Sequence, residues 1–149
     1  MKPRNTDMSQ ITAVLQSGTV ATLSNGRHTW TADEPLAAGG TDTGPDPYEL
    51  LLSSLAACTC LTIAMYCKHK KLSLQSVRAS FDFVRIHADD CEDCDMSDRG
   101  YIERITSNVH ISGDFDDAQK KRLAQIAQRC PVHKTLAQGV AFEDNATFD

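Results

Sequence analysis

Positive charge is the first thing this sequence is short of. Its 149 residues hold 15 Lys and Arg against 20 Asp and Glu, a formal net charge of −5. Binding nucleic acid needs a positive field to neutralise phosphates, so nucleic acid is excluded as a main partner. A short basic cluster, Lys68, Lys70 and Lys71, falls at an expected helix end, where positive charge is favoured anyway. An export signal is also missing. Residues 1–10 are polar, with no apolar segment leading to a small-residue cleavage site, so the expected compartment is the reducing cytoplasm. Internal repeats and low-complexity stretches are absent as well. One stretch, Leu50–Cys67, is uncharged and apolar enough to tempt a membrane reading, but it is barely long enough to span. Ser53, Ser54, Thr59, Thr62 and three cysteines interrupt it, so it reads as a buried core helix rather than a membrane span.

What is present is an ordinary globular composition, 41% hydrophobic and 23% charged, in a chain long enough to bury a core as one domain over residues 1–149. The first ten residues are expected to be poorly ordered. Six cysteines stand out. In a reducing compartment they suggest reactive thiols or a metal site before structural disulfides.

The chain opens with β-type runs at Ile11–Leu15 and Thr19–Leu23, and Asn25-Gly26 is a two-residue hairpin signal before His28–Ala32. Residues 33–47, with Gly39-Gly40, Gly44 and three prolines, read as a loop. Asp46 as N-cap, Pro47 in the first helical position and Glu49 three after the cap then open a helix running to about Lys68. That helix is apolar nearly all round and should be enclosed. Val77, Ala79, Phe81 and Phe83 alternate, and a shift to Val84 and Ile86 suggests a β-bulge there. Ile105, Ser107, Val109 and Ile111 form a second strand, and the acidic stretch 88–100 joins the two. Asp116 with Gln119 predicts another capping box, opening a helix whose apolar stripe is Leu123, Ile126, Ala127 and Cys130. Pro131 breaks it, a short helix follows to Gly139, and Val140–Phe142 would close the sheet. The expected fold class is α+β, with a largely antiparallel sheet, a long buried central helix and a helical C-terminal segment.

Several residues could carry chemistry. Cys58 sits at the middle of the long helix, where a cysteine serves equally as a small core hydrophobe. Cys130 precedes Pro131 and so caps the following helix. Backbone N–H groups and the helix dipole there favour a thiolate, and His133 three residues on can add positive charge. The plain alternative is that Cys130 merely ends an apolar stripe. Cys60 lies about 200° round the helix from Cys58, so the two cannot pair, and Cys60 with Cys67 on one face reads as packing. In the acidic stretch, His87, Cys91 and Cys94 could supply three zinc ligands, with Asp89 or Asp95 as a fourth. A reversible Cys91–Cys94 disulfide, or no role at all, are the other readings.

Two segments together carry a resemblance. Gly39 to Cys58 (GGTDTGPDPYELLLSSLAAC) and Arg129 to Leu136 (RCPVHKTL) resemble the two cysteine motifs of the family of osmotically inducible protein C (OsmC) and organic hydroperoxide resistance protein (Ohr), in the family's order and separation. The resemblance covers most of the chain. It implies an intertwined homodimer with active sites at the subunit interface, and thiol-dependent reduction of organic hydroperoxides in oxidative stress. No cofactor is implied. Carried over, Cys58 is the peroxide-attacking thiolate and Cys130 the resolving thiol, with an external dithiol as reductant. Family peroxidases pair the first cysteine with an arginine from the preceding loop, but residues 33–47 contain none, and the nearest is Arg27. They also carry a glutamate ten residues before that cysteine, where this chain has Tyr48, with Glu49 one place later. Glu49 is about 180° from Cys58 along one helix, so it caps its own helix and in a dimer could serve the partner's site. The acidic stretch is also foreign to the best-known peroxidases of the family and marks a divergent OsmC-like branch. Two other functions compete with peroxidase activity. One is a non-catalytic module that binds a small apolar ligand and senses oxidation through its thiols; the other is metal binding at residues 87–95.

Overall fold

Three hydrophobic patterns organise the chain: two short alternating hairpins' worth of β-structure, one long apolar helix, and two long strands that alternate apolar and polar. The structure, a computed structural model, describes residues 10–87 and 101–149. It forms two compact units, residues 1–51 and 52–149. The stretch 88–100 lies outside the described residues, and with it Cys91 and Cys94.

In the first unit, β1 (Thr12–Val14), β2 (Ala21–Ser24) and β3 (Thr29–Ala32) make an antiparallel sheet in the order β1-β2-β3. The β2–β3 turn runs one residue later than the Asn-Gly rule suggests. Ser24 pairs with Thr29, and the Asn25 amide donates to the His28 carbonyl, so Gly26 and Arg27 occupy the tip. Gly26 takes the positive φ of 85° the tip requires, while the Asn25 side chain accepts from the Arg27 and His28 amides.

The loop after β3 is ordered around one carboxylate. Asp33 is 2% exposed and accepts hydrogen bonds from the Thr19, Thr41 and Thr43 hydroxyls and from the Glu34, Thr41 and Thr43 amides, at 2.5–3.1 Å. Donors aimed at the ionised form hold its pKa far below the usual carboxylate range, and the Thr19 hydroxyl is the largest cause. The Asp33 amide is used as well, donating to the Pro45 carbonyl, and a short 3-10 turn covers Leu36–Ala38.

Helix α1 (Pro47–Lys70) begins where its cap predicts. The Glu49 amide donates to Asp46 at 2.8 Å, and the Glu49 carboxylate accepts from the Asp46 amide at 2.9 Å. By length and composition α1 could cross a membrane. Its Leu55, Thr59, Ile63 and Cys67 nonetheless form a stripe at every fourth residue that is buried in the second unit. Among the described residues the side that carries Leu61 and Met65 is left uncovered. Leu61 stays 61% exposed and Met65 68%.

The second unit is built on a ribbon of β4 (Ser73–His87) and β5 (Tyr101–Asp114), antiparallel along its whole length. The bulge falls between Leu74 and Ser76, not at Phe83–Val84, where pairing is continuous to Ile105 and Arg104. Val84 therefore stays on the outer face, 41% exposed. Helix α2 (Asp117–Ala127) opens with the expected reciprocal Asp116–Gln119 capping box. Its Leu123 and Ile126 complete a core with Ile63, Cys67 and Phe115, flanked by Leu72 and, from the ribbon, by Leu74, Val77, Val109 and Ile111. Helix α3 (Pro131–Gln138) stops at Gly139, which has a positive φ of 79°. The predicted strand at Val140–Phe142 is not formed. That segment pairs with no strand among the described residues, and with Val140 53% and Phe142 82% exposed it buries too little apolar surface to fix one.

Close approach makes one glycine of the ribbon irreplaceable. A methyl group at Gly113 would overlap the Ser73 carbonyl and the Phe115 ring. Gly113→Ala should therefore cost about 1–3 kcal/mol by overpacking, read as a lower urea midpoint at unchanged m-value.

Candidate functional site

The long helix and the chain break at Pro131 bring two distant cysteines together. Cys58 lies three residues after the buried Leu55, at the flank of the inward stripe of α1, and is half-buried. Cys130 occupies the N-cap of α3 and is 0% exposed. Pro131 sets this arrangement: it cannot extend α2, it fits the first turn of α3, and it leaves Cys130 between the two helices. The Cys130 thiol interacts directly with Cys58, and both are free thiols. Among the described residues Cys60 and Cys67 are also free, with Cys67 inside the core.

The electrostatics of Cys130 differ from the expectation of a capped thiolate. The Val132 and His133 amides do favour the anion, but burial outweighs them and the hydrogen bond with Cys58 adds to it, so the Cys130 pKa is raised. Burial likewise pushes the Cys67 thiol up. A buried cap is a dipole working against desolvation, and here desolvation wins. Cys130 keeps its proton and is placed to donate it toward Cys58. Two consequences are measurable. At pH 8, iodoacetamide should modify Cys58 well before Cys130 or Cys67, as peptide mass spectrometry would read. Since both pKa values rise on folding, the stability tied to them is complete below the ordinary thiol range of about 8.5 and falls as pH climbs past it.

The other expected site residues are placed as follows. His133 is on the first turn of α3, three residues from Cys130, with an exposed side chain. Glu49 closes the α1 capping box and Arg27 sits exposed at the β2–β3 tip, both in the first unit. His87 ends β4, but its side chain, like Cys91 and Cys94, lies outside what is described. Among the described residues no group of three His, Cys, Asp or Glu side chains could hold a metal.

Two clefts adjoin this site. A cleft of about 240 Å³ is bounded by Leu55, Phe81, Ile105, His133 and Leu136, one helical turn from each cysteine. A larger one of about 700 Å³ runs between β5 and α2 and shares Phe81, Ser107 and His133 with it. Neither is lined by the cysteines themselves, so the thiols stand beside the clefts rather than at their floor. Sequence reading missed both clefts and the Asp33 cage. Only the cage left a trace, in the threonines Thr41 and Thr43 that follow Asp33 in the loop.

The uncovered face of α1 also bears on the site. Met65 is seven residues from Cys58, two helical turns, so the half-buried thiol and the exposed methionine lie on the same side.

Comparison with known proteins agrees with this picture. The family described as OsmC-like protein matches residues 40–143, which include both cysteines. A sequence search of curated proteins finds no match. Among solved structures, an OsmC-like protein from Mycoplasma pneumoniae superposes with a TM-score of 0.65 at 24% identity, covering 91% of each chain. An organic hydroperoxide resistance protein from Legionella pneumophila gives a TM-score of 0.61 at 17% identity over 88% of this chain and 90% of that one. The organic hydroperoxide resistance protein OhrB of Bacillus subtilis gives 0.55 at 21% identity, over 84% and 87%. At these identities the likeness is one of fold.

Proposed function

Because the chain belongs to the OsmC-like protein family, we propose that it is a cytoplasmic, homodimeric thiol peroxidase that reduces organic hydroperoxides through Cys58 and Cys130. The observation that carries this reading is the direct interaction of two free thiols from opposite parts of the chain, one half-buried and one fully enclosed. Two structural neighbours named as organic hydroperoxide resistance proteins support it.

The Cys58 thiolate attacks one peroxide oxygen, the O–O bond breaks, and the other oxygen leaves as the alcohol after taking a proton. Cys58 becomes a sulfenic acid. The Cys130 sulfur, giving up its proton, then attacks the Cys58 sulfur. A disulfide forms and water departs, and an external dithiol returns both cysteines to thiols. The raised pKa of Cys130 suits this order. Its proton is held until the leaving group needs one, and the resolving thiol stays neutral while Cys58 reacts.

The Cys130 thiol is the group that meets Cys58, and no arginine lies in residues 33–47. The apolar face of α1 beside Cys58 is the natural seat of the partner subunit, whose approach would dry the site. The deciding experiment is mass spectrometry of alkylated protein before and after one equivalent of cumene hydroperoxide. A Cys58–Cys130 disulfide in near-stoichiometric yield is expected. Both thiols remaining alkylatable would remove the peroxidase reading.

A further inference from the structure

The larger cleft is basic at its rim in a protein that is acidic overall. Its floor is apolar, formed by Phe81, Val109, Ile111 and Phe115 of the β4–β5 side and Leu123 of α2. Its polar rim carries Lys120, His110 and His133, with no Asp or Glu among the lining residues, although the protein has a net charge of −5. At about 700 Å³ it falls in the size range of small-molecule sites. Phe115 is seated against Gly113, and Ala124 and Ala127 leave the α2 wall open, so small residues shape the space.

We propose that this cleft binds a small organic anion with an apolar body, its negative group at Lys120 and its body on the Phe81–Phe115 floor. An apolar floor supplies affinity without orientation; a single cation at the rim supplies the sign. A cation or a carboxylate-rich segment would find nothing complementary, and a neutral ligand would leave Lys120 unused. The proposal goes beyond the thiol chemistry, because neither Cys58 nor Cys130 lines the cleft, and it stands or falls separately from it.

The test compares two dyes that differ only by a sulfonate: anilinonaphthalene sulfonate and neutral N-phenylnaphthylamine. Titration calorimetry of the full chain at neutral pH and low salt, and of its Cys58→Ser variant, should show one saturable site per chain for the anion. Neutral dye should bind roughly three- to tenfold more weakly, as one partly exposed charge interaction allows. Lys120→Gln should remove that difference while Lys120→Arg keeps it, and Ala124→Trp should abolish binding by filling the cleft. Lys120 and Ala124 are exposed, so both variants should fold, with circular dichroism as the control. Hydroperoxide consumption by Lys120→Gln should be unchanged, which separates failure of this proposal from failure of the peroxidase reading. Equal affinity for the two dyes, undiminished binding in Ala124→Trp, or no saturable site would each overturn the proposal. The last is the result expected if a second copy of the chain fills the cleft.

Discussion

Cys58→Ser is expected to lower hydroperoxide consumption by roughly a thousandfold or more, because a hydroxyl at that position is neither ionised at neutral pH nor a comparable nucleophile. The half-buried position on α1 means the change is nearly isosteric, so the fold should be kept and the loss should be chemical. Cys130→Ser should behave differently. Its first turnover should proceed to a Cys58 sulfenic acid that dimedone can trap, and recycling by a dithiol should then slow. A serine hydroxyl can still donate toward Cys58, so the first step should stay close to the parent rate while recycling slows. Stopped-flow rates of the first turnover separate the two steps. A Cys58→Ser variant that consumes hydroperoxide at the parent rate would leave the cysteines as packing.

The second large effect concerns the uncovered helix face. Leu61→Asp with Met65→Asp should convert the proposed homodimer into monomers, read by light scattering across a dilution series. Burying a side chain of this size contributes about 1.5–3 kcal/mol, and in a two-fold interface each position counts twice. Replacing both by carboxylates adds a desolvation cost on top. Dissociation should therefore rise by at least ~10³-fold, and hydroperoxide turnover should fall with it if the partner completes the site. In the separated chain the two positions already face solvent, so the monomer itself should stay folded. An unchanged dimer would mean that α1 faces outward in the assembly.

How far the sequence announced this structure can be judged element by element. The caps were fully legible, since Asp46–Glu49 and Asp116–Gln119 are local and reciprocal, and both close as written. The mixed α+β class and the antiparallel ribbon followed from periodicity alone. The bulge was misplaced because a run such as Phe83–Val84 breaks alternation without breaking hydrogen bonds, whereas the real irregularity at Gln75 is silent in hydropathy. The closing strand at Val140–Phe142 is not formed, and α1 is buried along one side while Leu61 and Met65 stay exposed. Apolar pattern says that a surface is to be covered, not that the same chain covers it. At the site, motif spacing pointed to Cys58 and Cys130. It could not weigh helix dipole against burial at Cys130, since burial depends on α1 and the ribbon arriving from elsewhere.

The Asp33 cage has a consequence for how the first unit behaves over time and in acid. A carboxylate held so far below its ordinary pKa contributes its stabilisation at every pH above about 4, the unfolded value, and loses it only as pH falls through the folded one. Acid stress therefore leaves the knot tied. The amide protons of Glu34, Thr41 and Thr43, which would exchange within moments in an open loop, are committed to one buried acceptor and should exchange together, as a single opening event. A stretch rich in glycine and proline thus has the kinetics of a folded element.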